Sequence, residues 1–420
     1  MAATAGHRRV VVTGVGLITA VGNDVSSNWE ALLSGVSGGA TIASFDPSDL
    51  DVRFACEVKD FDPSQYMDRK EVKRTDRFTQ FALAATSQAM KMAGYENRNP
   101  DVEPDRFGVI TGSGIGGIGT LEDQHKIMLE KGPSRVSPFF VPMFIADIAP
   151  GLISMKYSAK GPNYTTVSAC ASSAHAVGNA FRLIRYGIAD VMITGGAESA
   201  VTPLTMAGFA SMKALSSRND SPETASRPFD AGRDGFVLGE GCGMLVLEEA
   251  ELARARGARI LAEIVGFGQT ADAHHITAPA PAGEGARRAM LLALQDAAAE
   301  PTEVDYINAH GTSTPLNDQA ETQAIKKLLG ERAYEIVVSS TKSMTGHTLG
   351  AAGGVESVIC ALVISEGKIP PTINFSEADP DCDLNYAHNQ VIERSVGLTL
   401  SNSFGFGGHN VCLAIKRWEA

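Results

Sequence analysis

One arrangement recurs along this chain and restricts its fold more than any other feature: a short apolar segment, then small or polar residues, then a helical segment. The apolar segments are almost uninterrupted, which predicts strands buried on both faces of a sheet. Because helices must then cover both faces, the chain is predicted to be an α/β protein. Segments of this kind are residues 10–14, 107–112, 165–170, 190–195, 304–308, 336–340 and 398–402.

Three helices can be located from the pattern. Apolar residues recur every three or four positions from Phe78 to Met92, and this helix is predicted to end near Gly94. Two further helices, from about Ala171 to Tyr186 and from about Leu349 to Ser365, are rich in alanine and glycine. An interior glycine costs a helix about 1 kcal/mol relative to alanine, so both helices are predicted to be central and tightly packed.

These two small-residue helices occupy matching places in the two halves of the chain, which indicates an internal duplication. We place the division between a charged helix predicted for Glu248 to Arg256 and a new strand predicted to begin at Ile260. The predicted halves are residues 1–258, which carry Cys170, and residues 259–420, which carry His310 and His347.

The composition excludes several classes of function. A formal net charge of −12 repels phosphate and argues against a general nucleic-acid binder. No apolar run approaches the roughly 18 to 20 residues that span a bilayer, so we expect no membrane segment. The apolar stretch after Arg8 and Arg9 is interpreted as the first strand rather than a secretory signal. Six scattered cysteines without a CxxC motif predict a reducing, cytoplasmic location.

Cys170 is the strongest candidate for a nucleophile, because it lies where a predicted strand ends and a helix begins. The first turn of a helix offers free N–H groups and a partial positive charge, and both favour the reactive thiolate. A small buried cysteine is the alternative interpretation. Four other cysteines lie in apolar contexts and are interpreted as core residues: Cys56, Cys242, Cys360 and Cys412.

Two histidines occupy the same kind of position as Cys170. His310 and His347 each follow a predicted strand and precede small residues. Sites in α/β folds form at the carboxyl ends of strands, so we expect the three side chains to act together. Metal binding is the rival use of such a set. The neighbouring pair His274 and His275 lies in a predicted loop and is interpreted as surface.

Two glycine-rich segments allow more than one interpretation. Residues 402–410 hold three glycines, so their backbone N–H groups form either an oxyanion hole or a tightly packed turn. Residues 112–117 match the GxGxxG pattern of dinucleotide-binding proteins, which would make the chain an NAD-dependent oxidoreductase. That turn usually opens such a fold, whereas here it lies more than a hundred residues into the chain. We therefore expect no nucleotide cofactor.

Taken together, these motifs resemble those of the β-ketoacyl-acyl-carrier-protein synthases in the condensing-enzyme family, most closely the type II elongation enzymes. The resemblance extends over essentially the whole chain, and it implies a thiolase-like duplicated α/β fold layered αβαβα. Besides the cysteine and histidine motifs, it rests on residues 9–14, 226–230, 234–241 and 405–408.

The resemblance implies a role for each candidate residue. Cys170 matches the nucleophile that becomes acylated, and His310 and His347 match the histidines that handle decarboxylation of malonyl. Lys342 and Glu356 match a supporting ion pair. The implied reaction is decarboxylative condensation, which lengthens the cysteine-bound acyl chain by two carbons.

Further residues match supporting positions of the family. Asp318 corresponds to a helper near the first histidine, and Ile115 to a position at the acyl pocket. The backbone N–H groups of Cys170 and Phe404 would form the oxyanion hole, and Phe404 would also control access of malonyl. His409 departs from the pattern, because many bacterial relatives have threonine there.

The resemblance also implies partners. The family works with an acidic acyl carrier protein, so this acidic chain needs a local basic patch, and it is expected to form a homodimer. No cofactor or metal is required, although a candidate monovalent-cation site lies near Asn308, Glu356, Ser401 and Asn402. The expected carrier-binding residues are Lys70, Lys73, Arg74, Arg135 and Lys213.

Three alternatives remain beside fatty-acid synthesis. A ketosynthase of a polyketide pathway would use the same chemistry on other substrates. An inactive partner subunit is disfavoured because Cys170, His310 and His347 are all present. The oxidoreductase suggested by residues 112–117 would be revealed by a nucleotide-binding titration.

Overall fold

The computed structural model describes residues 7–96 and 101–419, and within these ranges the chain alternates strands and helices. The strands are β1 Val10–Ile18, β2 Ala40–Thr41, β3 Phe54–Ala55, β4 Phe107–Gly112, β5 Asn163–Thr166, β6 Val191–Glu198, β7 Gly241–Glu249, β8 Ala262–Ala271, β9 Tyr306–Asn308, β10 Val337–Ser339, β11 Lys368–Ile369, β12 Ile392–Glu393, β13 Leu398–Gly405 and β14 His409–Lys416. The helices are α1 Val25–Leu33, α2 Arg69–Val72, α3 Arg77–Met92, α4 Ile118–Lys131, α5 Phe140–Phe144, α6 Ile148–Tyr157, α7 Ser172–Arg185, α8 Pro203–Ser211, α9 Ala250–Ala255, α10 Glu284–Asp296, α11 Pro315–Leu329, α12 Lys342–Thr345 and α13 Ala352–Glu366.

Ten strands form one mixed sheet in the order β10-β9-β13-β14-β8-β1-β7-β6-β4-β5. Outward from β1, the successive pairings with β7, β6, β4 and β5 are antiparallel, antiparallel, parallel and parallel. Outward from β8, the pairings with β14, β13, β9 and β10 follow the same series. The antiparallel pairing of β1 with β8 joins the two sets. The sheet is therefore two copies of one five-strand unit, as a duplicated fold requires.

Helices lie on both faces of each unit. α3 packs on β1, β7 and β6, and α10 packs on β8, β14 and β13. α7 and α13 contact strands of both units, so they form the layer between them. Side chains alternate along the strands between these layers, with Ile193 facing α3 and Met192 facing α7. The result is the predicted α-β-α-β-α layering.

The two small-residue helices are central, as predicted from their glycines. A Cβ atom on Gly353 in α13 would lie 2.6 Å from the Cβ of Ala174 in α7, so glycine is needed for this approach. The helical segment Leu349–Glu366 is long and apolar enough to cross a membrane, but 89% of it is buried inside the protein. Its hydrophobicity is that of a core helix.

Three predicted boundaries were wrong. β1 continues through Gly14 and Gly16 to Ile18, because the absent side chains let the strand approach the backbone of α3. Glu248 belongs to β7 rather than to a charged helix, since its buried carboxylate accepts hydrogen bonds from Tyr95 and Arg256 at 2.9 Å. β8 begins at Ala262 rather than Ile260.

Candidate active site

Cys170 lies in a tight turn between β5 and α7. The predicted strand ends at Thr166, earlier than expected, because Ala169 adopts a left-handed conformation with φ of +50°. Backbone hydrogen bonds from Ala171 to Ser168 and from Ser172 to Ala169, both 3.1 Å, close the turn. The cysteine is buried just before the first turn of α7.

His347 faces the sulfur of Cys170, with its Nε2 atom 3.0 Å from Sγ. Its backbone is fixed by the segment around Leu238. The N–H of His347 donates to Val237 at 2.8 Å, and Gly239 donates to the carbonyl of His347 at 3.0 Å. The ring of Phe236 packs edge-on against the imidazole at 5.4 Å. The segment 234–241 therefore positions this histidine.

His310 follows β9, and its ring lies 5.3 Å from the ring of His347 at an angle of 86°. Glu321, which the sequence analysis did not select, holds this loop. Its carboxylate accepts the N–H of His310 at 2.9 Å and of Gly311 at 2.8 Å, together with the amide of Asn402 at 3.0 Å. The signal was present as a second acidic residue one turn after Asp318 on α11.

Burial sets the protonation of these three groups. Burial raises the pKa of Cys170 to about 12, although the Lys342 ammonium and the backbone N–H of Phe406 act to lower it. Burial, with Lys342 nearby, holds the pKa values of His310 and His347 well below the usual range. The resting site therefore contains a neutral thiol and neutral imidazoles, whereas the helix terminus alone predicts a thiolate.

Lys342 and Glu356 form a buried ion pair behind the histidines, from α12 to α13. Burial raises the pKa of Glu356 to about 7, and the Lys342 charge opposes this effect. Since Lys342 also lowers the pKa of Cys170 and of both histidines, it supplies positive charge to the whole site. Such a site stabilises a developing anion.

A cavity of about 540 Å³ connects these residues with solvent. Cys170, His310, His347, Phe404 and Ile115 all line it. The ring of Phe404 lies 5.6 Å from that of His310. Apolar side chains predominate elsewhere in the lining, as expected for a site that binds an apolar ligand.

The glycine-rich turn between β13 and β14 packs directly on the cysteine. A Cβ atom on Gly405 would lie 2.7 Å from the carbonyl oxygen of Ser168, so only glycine allows this contact. The backbone N–H groups of Phe406 and of Cys170 itself face the sulfur. The N–H group that the turn contributes at the sulfur is therefore that of Phe406, two residues after Phe404, the position selected from the sequence.

Comparison with known families identifies the family and the fold. The N-terminal domain of β-ketoacyl synthases matches residues 7–253, and the C-terminal domain of the same family matches residues 261–376. The chain belongs to the β-ketoacyl synthase family. The family carries the same arrangement of two halves, and the predicted thiolase-like fold is confirmed.

Relatives match along almost the full length. The 3-oxoacyl-[acyl-carrier-protein] synthase 2 of Synechocystis is 56% identical over 412 residues, covering 98% of this chain and 99% of that protein. The enzyme of that name from Staphylococcus aureus is 51% identical over 414 residues, covering 99% of each.

Solved structures agree with this assignment. A β-ketoacyl synthase from Burkholderia phymatum has a TM-score of 0.91 and 37% identity, covering 98% of this chain and 100% of the other. A type II polyketide acyl carrier protein in complex with its ketosynthase gives a TM-score of 0.89 at 35% identity, covering 98% and 100%.

In the described part of this β-ketoacyl synthase, the carboxylate of Asp318 makes no hydrogen bond to the imidazole of His310. Its carboxylate accepts the N–H of Phe229 at 2.9 Å and lies 3.6 Å from Nε of Arg233. It also faces the backbone N–H of Thr312, in the loop that follows His310. Asp318 thus supports the far side of the loop, and Glu321 holds the histidine itself.

The GxGxxG segment has its backbone donors already occupied. The N–H groups of residues 114–116 point to the buried carboxylate of Glu198, at 2.6 to 3.3 Å, where a dinucleotide site would hold phosphate. A second anion in the same place would meet strong repulsion. This geometry argues against the oxidoreductase interpretation.

The basic residues selected for carrier binding lie on the surface. Lys70, Lys73, Arg74 and Arg135 are exposed, and Lys213 lies at the mouth of the cavity. The guanidinium of Arg74 stacks 4.4 Å from the ring of Phe139, which brings the segments around residues 74 and 135 together.

Two places in the site offer atoms to a cation. The donor atoms of Cys170, His310 and His347 lie within 4.8 Å of one another, but the nearby Lys342 charge disfavours a divalent metal. Buried oxygen atoms without a hydrogen-bond partner in the described residues offer a better site for a monovalent cation. These belong to the residues selected from the sequence: Asn308, Glu356, Ser401 and Asn402.

His409, the departure from the family pattern, begins β14 and is not among the described residues that line the cavity. Its ring packs on the backbone of Gly407, and its charge contributes to the lowered pKa of His175. His409 therefore contacts the glycine turn without being one of the described residues that line the cavity.

Proposed function

We propose that the chain is a 3-oxoacyl-[acyl-carrier-protein] synthase that elongates fatty acids. The observation that supports this proposal most strongly is the distance of 3.0 Å between Cys170 Sγ and His347 Nε2. His310 lies beside them in the same apolar cavity. Relatives with this name at 51–56% identity support the same reaction and the acyl carrier protein as partner.

The first step transfers the acyl chain to Cys170. The sulfur attacks the thioester carbonyl of the acyl carrier, and its proton passes through His347 Nε2 to the departing carrier thiol. The carbon–sulfur bond to the carrier breaks as the bond to Cys170 forms. The backbone N–H groups of Cys170 and of the glycine-rich turn, including that of Phe404, donate hydrogen bonds to the oxyanion of the tetrahedral intermediate. Loss of one such donor typically costs about 2.7 to 4 kcal/mol.

The second step generates the carbon nucleophile by loss of CO₂ from malonyl carrier protein. The remaining enolate oxygen needs two hydrogen-bond donors, which neutral His310 and His347 can supply. Their Nδ1 atoms have no hydrogen-bond partner in the described residues, so neither ring is held in one tautomer. Each Nε2 can therefore accept a proton in one step and donate in the next.

The third step joins the two substrates. The enolate carbon attacks the carbonyl of acyl-Cys170, the carbon–sulfur bond breaks, and the released thiolate takes up a proton. The product is a 3-oxoacyl carrier protein two carbons longer. Lys342, paired with Glu356, stabilises the negative charge that develops in the second and third steps.

Acyl carrier protein would dock on the patch formed by Lys70, Lys73, Arg74, Arg135 and Lys213, because opposite charge steers the acidic partner to the cavity mouth. We also propose a homodimer. β5 lies at the edge of the sheet, and Val167 beside it is 63% exposed, so a second copy would cover unpaired strand edge. The six free cysteines fit the proposed cytoplasmic location.

A polyketide ketosynthase is the second candidate, favoured by the structural match to the ishigamide ketosynthase/chain length factor, with a TM-score of 0.90 and 37% identity. The higher identity to fatty-acid synthases favours the first proposal. The test is incubation with acyl and malonyl carrier proteins, with mass spectrometry of the carrier product. We expect a saturated-chain 3-oxoacyl product from the wild type and none from Cys170→Ala. Activity confined to polyketide intermediates would contradict fatty-acid elongation.

A further inference from the structure

Glu198, the last residue of β6, places a carboxylate behind the loop that carries Ile115. The residue is fully buried. Its two oxygens accept hydrogen bonds, at 2.6 to 3.3 Å, from four consecutive residues of the loop after β4. These residues are Ser113, Gly114, Ile115 and Gly116. Two of them, Gly114 and Ile115, line the cavity.

The same carboxylate also binds a second wall of the cavity. Oε2 accepts the N–H of Gly350 at 3.0 Å. Gly350 follows Leu349, which lines the cavity, and lies three residues after His347. Glu198 therefore connects the loop that carries Ile115 with the segment that carries the histidine.

The backbone segments around this carboxylate are closely packed. A Cβ atom on Gly114 would lie 2.9 Å from Oε2 of Glu198 and 3.6 Å from the carbonyl oxygen of Ala169, next to Cys170. A Cβ atom on Gly350 would lie 2.1 Å from the nitrogen of Gly114. Three cavity segments thus meet around one side chain, and the length of that side chain sets how far apart they stand.

We propose that Glu198 is a positioning residue that fixes the acyl end of the cavity and thereby determines which chain lengths Cys170 accepts. The inference rests on the proposed function, since it concerns the acyl chain of that reaction. The alternative is that Glu198 only stabilises the fold, like other buried carboxylates of the core.

Glu198 also affects the nucleophile through its charge. Burial is the main cause that raises the pKa of Cys170, and the Glu198 carboxylate raises it further. A variant that keeps the charge but shortens the side chain separates these two effects from each other.

Two variants make this separation. Glu198→Asp keeps the charge but retracts the carboxylate by about 1.5 Å, one carbon–carbon bond, so it cannot reach both walls. Glu198→Gln keeps the length but turns an NH₂ group toward backbone N–H donors, whichever way the amide lies. Both variants lose the connection, and only the second loses the charge.

The matched control is Glu248→Gln. Glu248 is another fully buried carboxylate, on β7, and it lies at the opposite end of the same strand pair, where Val191 pairs with Glu248 and Glu198 with Gly241. Its partners are Thr13, Tyr95 and Arg256, far along the strands from Cys170. This variant reports the effect of losing a buried carboxylate without disturbing the cavity.

The experiment measures kcat/KM for acyl carrier proteins with long and short saturated chains. In both Glu198 variants the ratio between long and short chains should move toward one by at least about fivefold, while Glu248→Gln keeps the wild-type ratio. At pH 8, iodoacetamide should label Cys170 in Glu198→Gln roughly tenfold faster than in Glu198→Asp, because only the former lost the charge.

An unchanged ratio in both Glu198 variants would overturn the inference, as would an equal change in Glu248→Gln. If both variants fail to fold, Ser113→Ala, which removes one donor to Glu198, should move the ratio in the same direction, and an unchanged ratio would again overturn it. Wild-type protein that accepts no acyl chain would refute the proposed function instead, so the two failures are distinguishable.

Discussion

The loops after β4 and after β9 occupy equivalent positions in the two halves, yet they present different chemistry. The first carries apolar Ile115 and the second carries His310. Each is held by a buried carboxylate that accepts consecutive backbone N–H groups, Glu198 in one case and Glu321 in the other. A duplicated backbone can thus keep its mode of support while one copy presents an apolar side chain to the cavity and the other an imidazole.

Substitution of His310, in the loop after β9, should have the largest effect on activity. His310→Ala removes a donor to the enolate and is expected to slow condensation by about 10² to 10⁴-fold. Acylation of Cys170 should persist, because His347 still faces the sulfur. Steady-state condensation and a separate acylation assay measure the two effects. His388→Ala serves as control, because His388 stacks on Phe375 away from the cavity. Equal loss in both assays would contradict the assignment of His310 to the malonyl step.

Loss of the support under that loop should matter less. Glu321→Gln does not substitute His310 itself, but it replaces one carboxylate oxygen that accepts buried N–H groups by an NH₂ group. We therefore expect the free energy of unfolding to fall by about 1 to 3 kcal/mol. Condensation should fall more than acylation does. Urea unfolding and the two activity assays measure these effects, and a variant with wild-type activity in both would show that Glu321 does not position His310.

The ion pair distinguishes the catalytic half further. Glu356 has a pKa of about 7 in the folded protein, above its ordinary value of 4.5, so the folded state holds a proton that the unfolded state releases between these pH values. Its contribution to stability is therefore fully present below pH 4.5 and declines as the pH rises through 7. Glu356→Gln should gain stability relative to wild type over this range in urea titrations. A constant difference would show that Glu356 is ionised throughout.

Added bulk at Ile115, in the loop after β4, should change the selectivity for acyl chain length rather than the rate with all chains. Ile115→Phe adds bulk to the cavity wall and is expected to lower kcat/KM for long acyl chains by about tenfold, with short chains nearly unaffected. Competition between carrier-bound chains, resolved by mass, provides the measurement. A uniform loss over all lengths would indicate that Ile115 does not contact the acyl chain.

The smallest effect is expected at the surface, outside both loops. Reversal of charge at Lys70 and Lys73 should raise KM for carrier-bound substrate by about three- to tenfold, most strongly at low salt. Lys327→Glu, on the exposed side of α11, serves as control for a reversal of surface charge away from the patch. Unchanged KM in the double variant would remove the patch from the carrier interface.

The sequence predicted more of this site than of its supports. Cys170, His310 and His347 follow strands, so their convergence was accessible from the order of strands and helices. Glu198 and Glu321 were missed, because a carboxylate that binds backbone N–H groups leaves no periodic pattern, and its partners lie 10 to 152 residues away. The protonation of Cys170 was also inaccessible, since the helix terminus is a local feature and burial is not.

The wrongly predicted boundaries of strands and helices have the same cause, because they depend on contacts that are distant in sequence. Gly14 and Gly16 suggest an early end of β1 when only local preferences are considered, yet the approach of α3 requires them within the strand. Glu248 resembles a helix start until its buried partners Tyr95 and Arg256 are known.

The most direct measurement is peptide-level mass spectrometry after incubation with acyl carrier protein alone. The account predicts one acyl group per chain, on the peptide that contains Cys170, in the wild type, in His310→Ala and in the core-cysteine control Cys242→Ala. It predicts no acyl group in Cys170→Ala. An acyl group on another residue, or retained in Cys170→Ala, would contradict the assignment of this sulfur as the nucleophile.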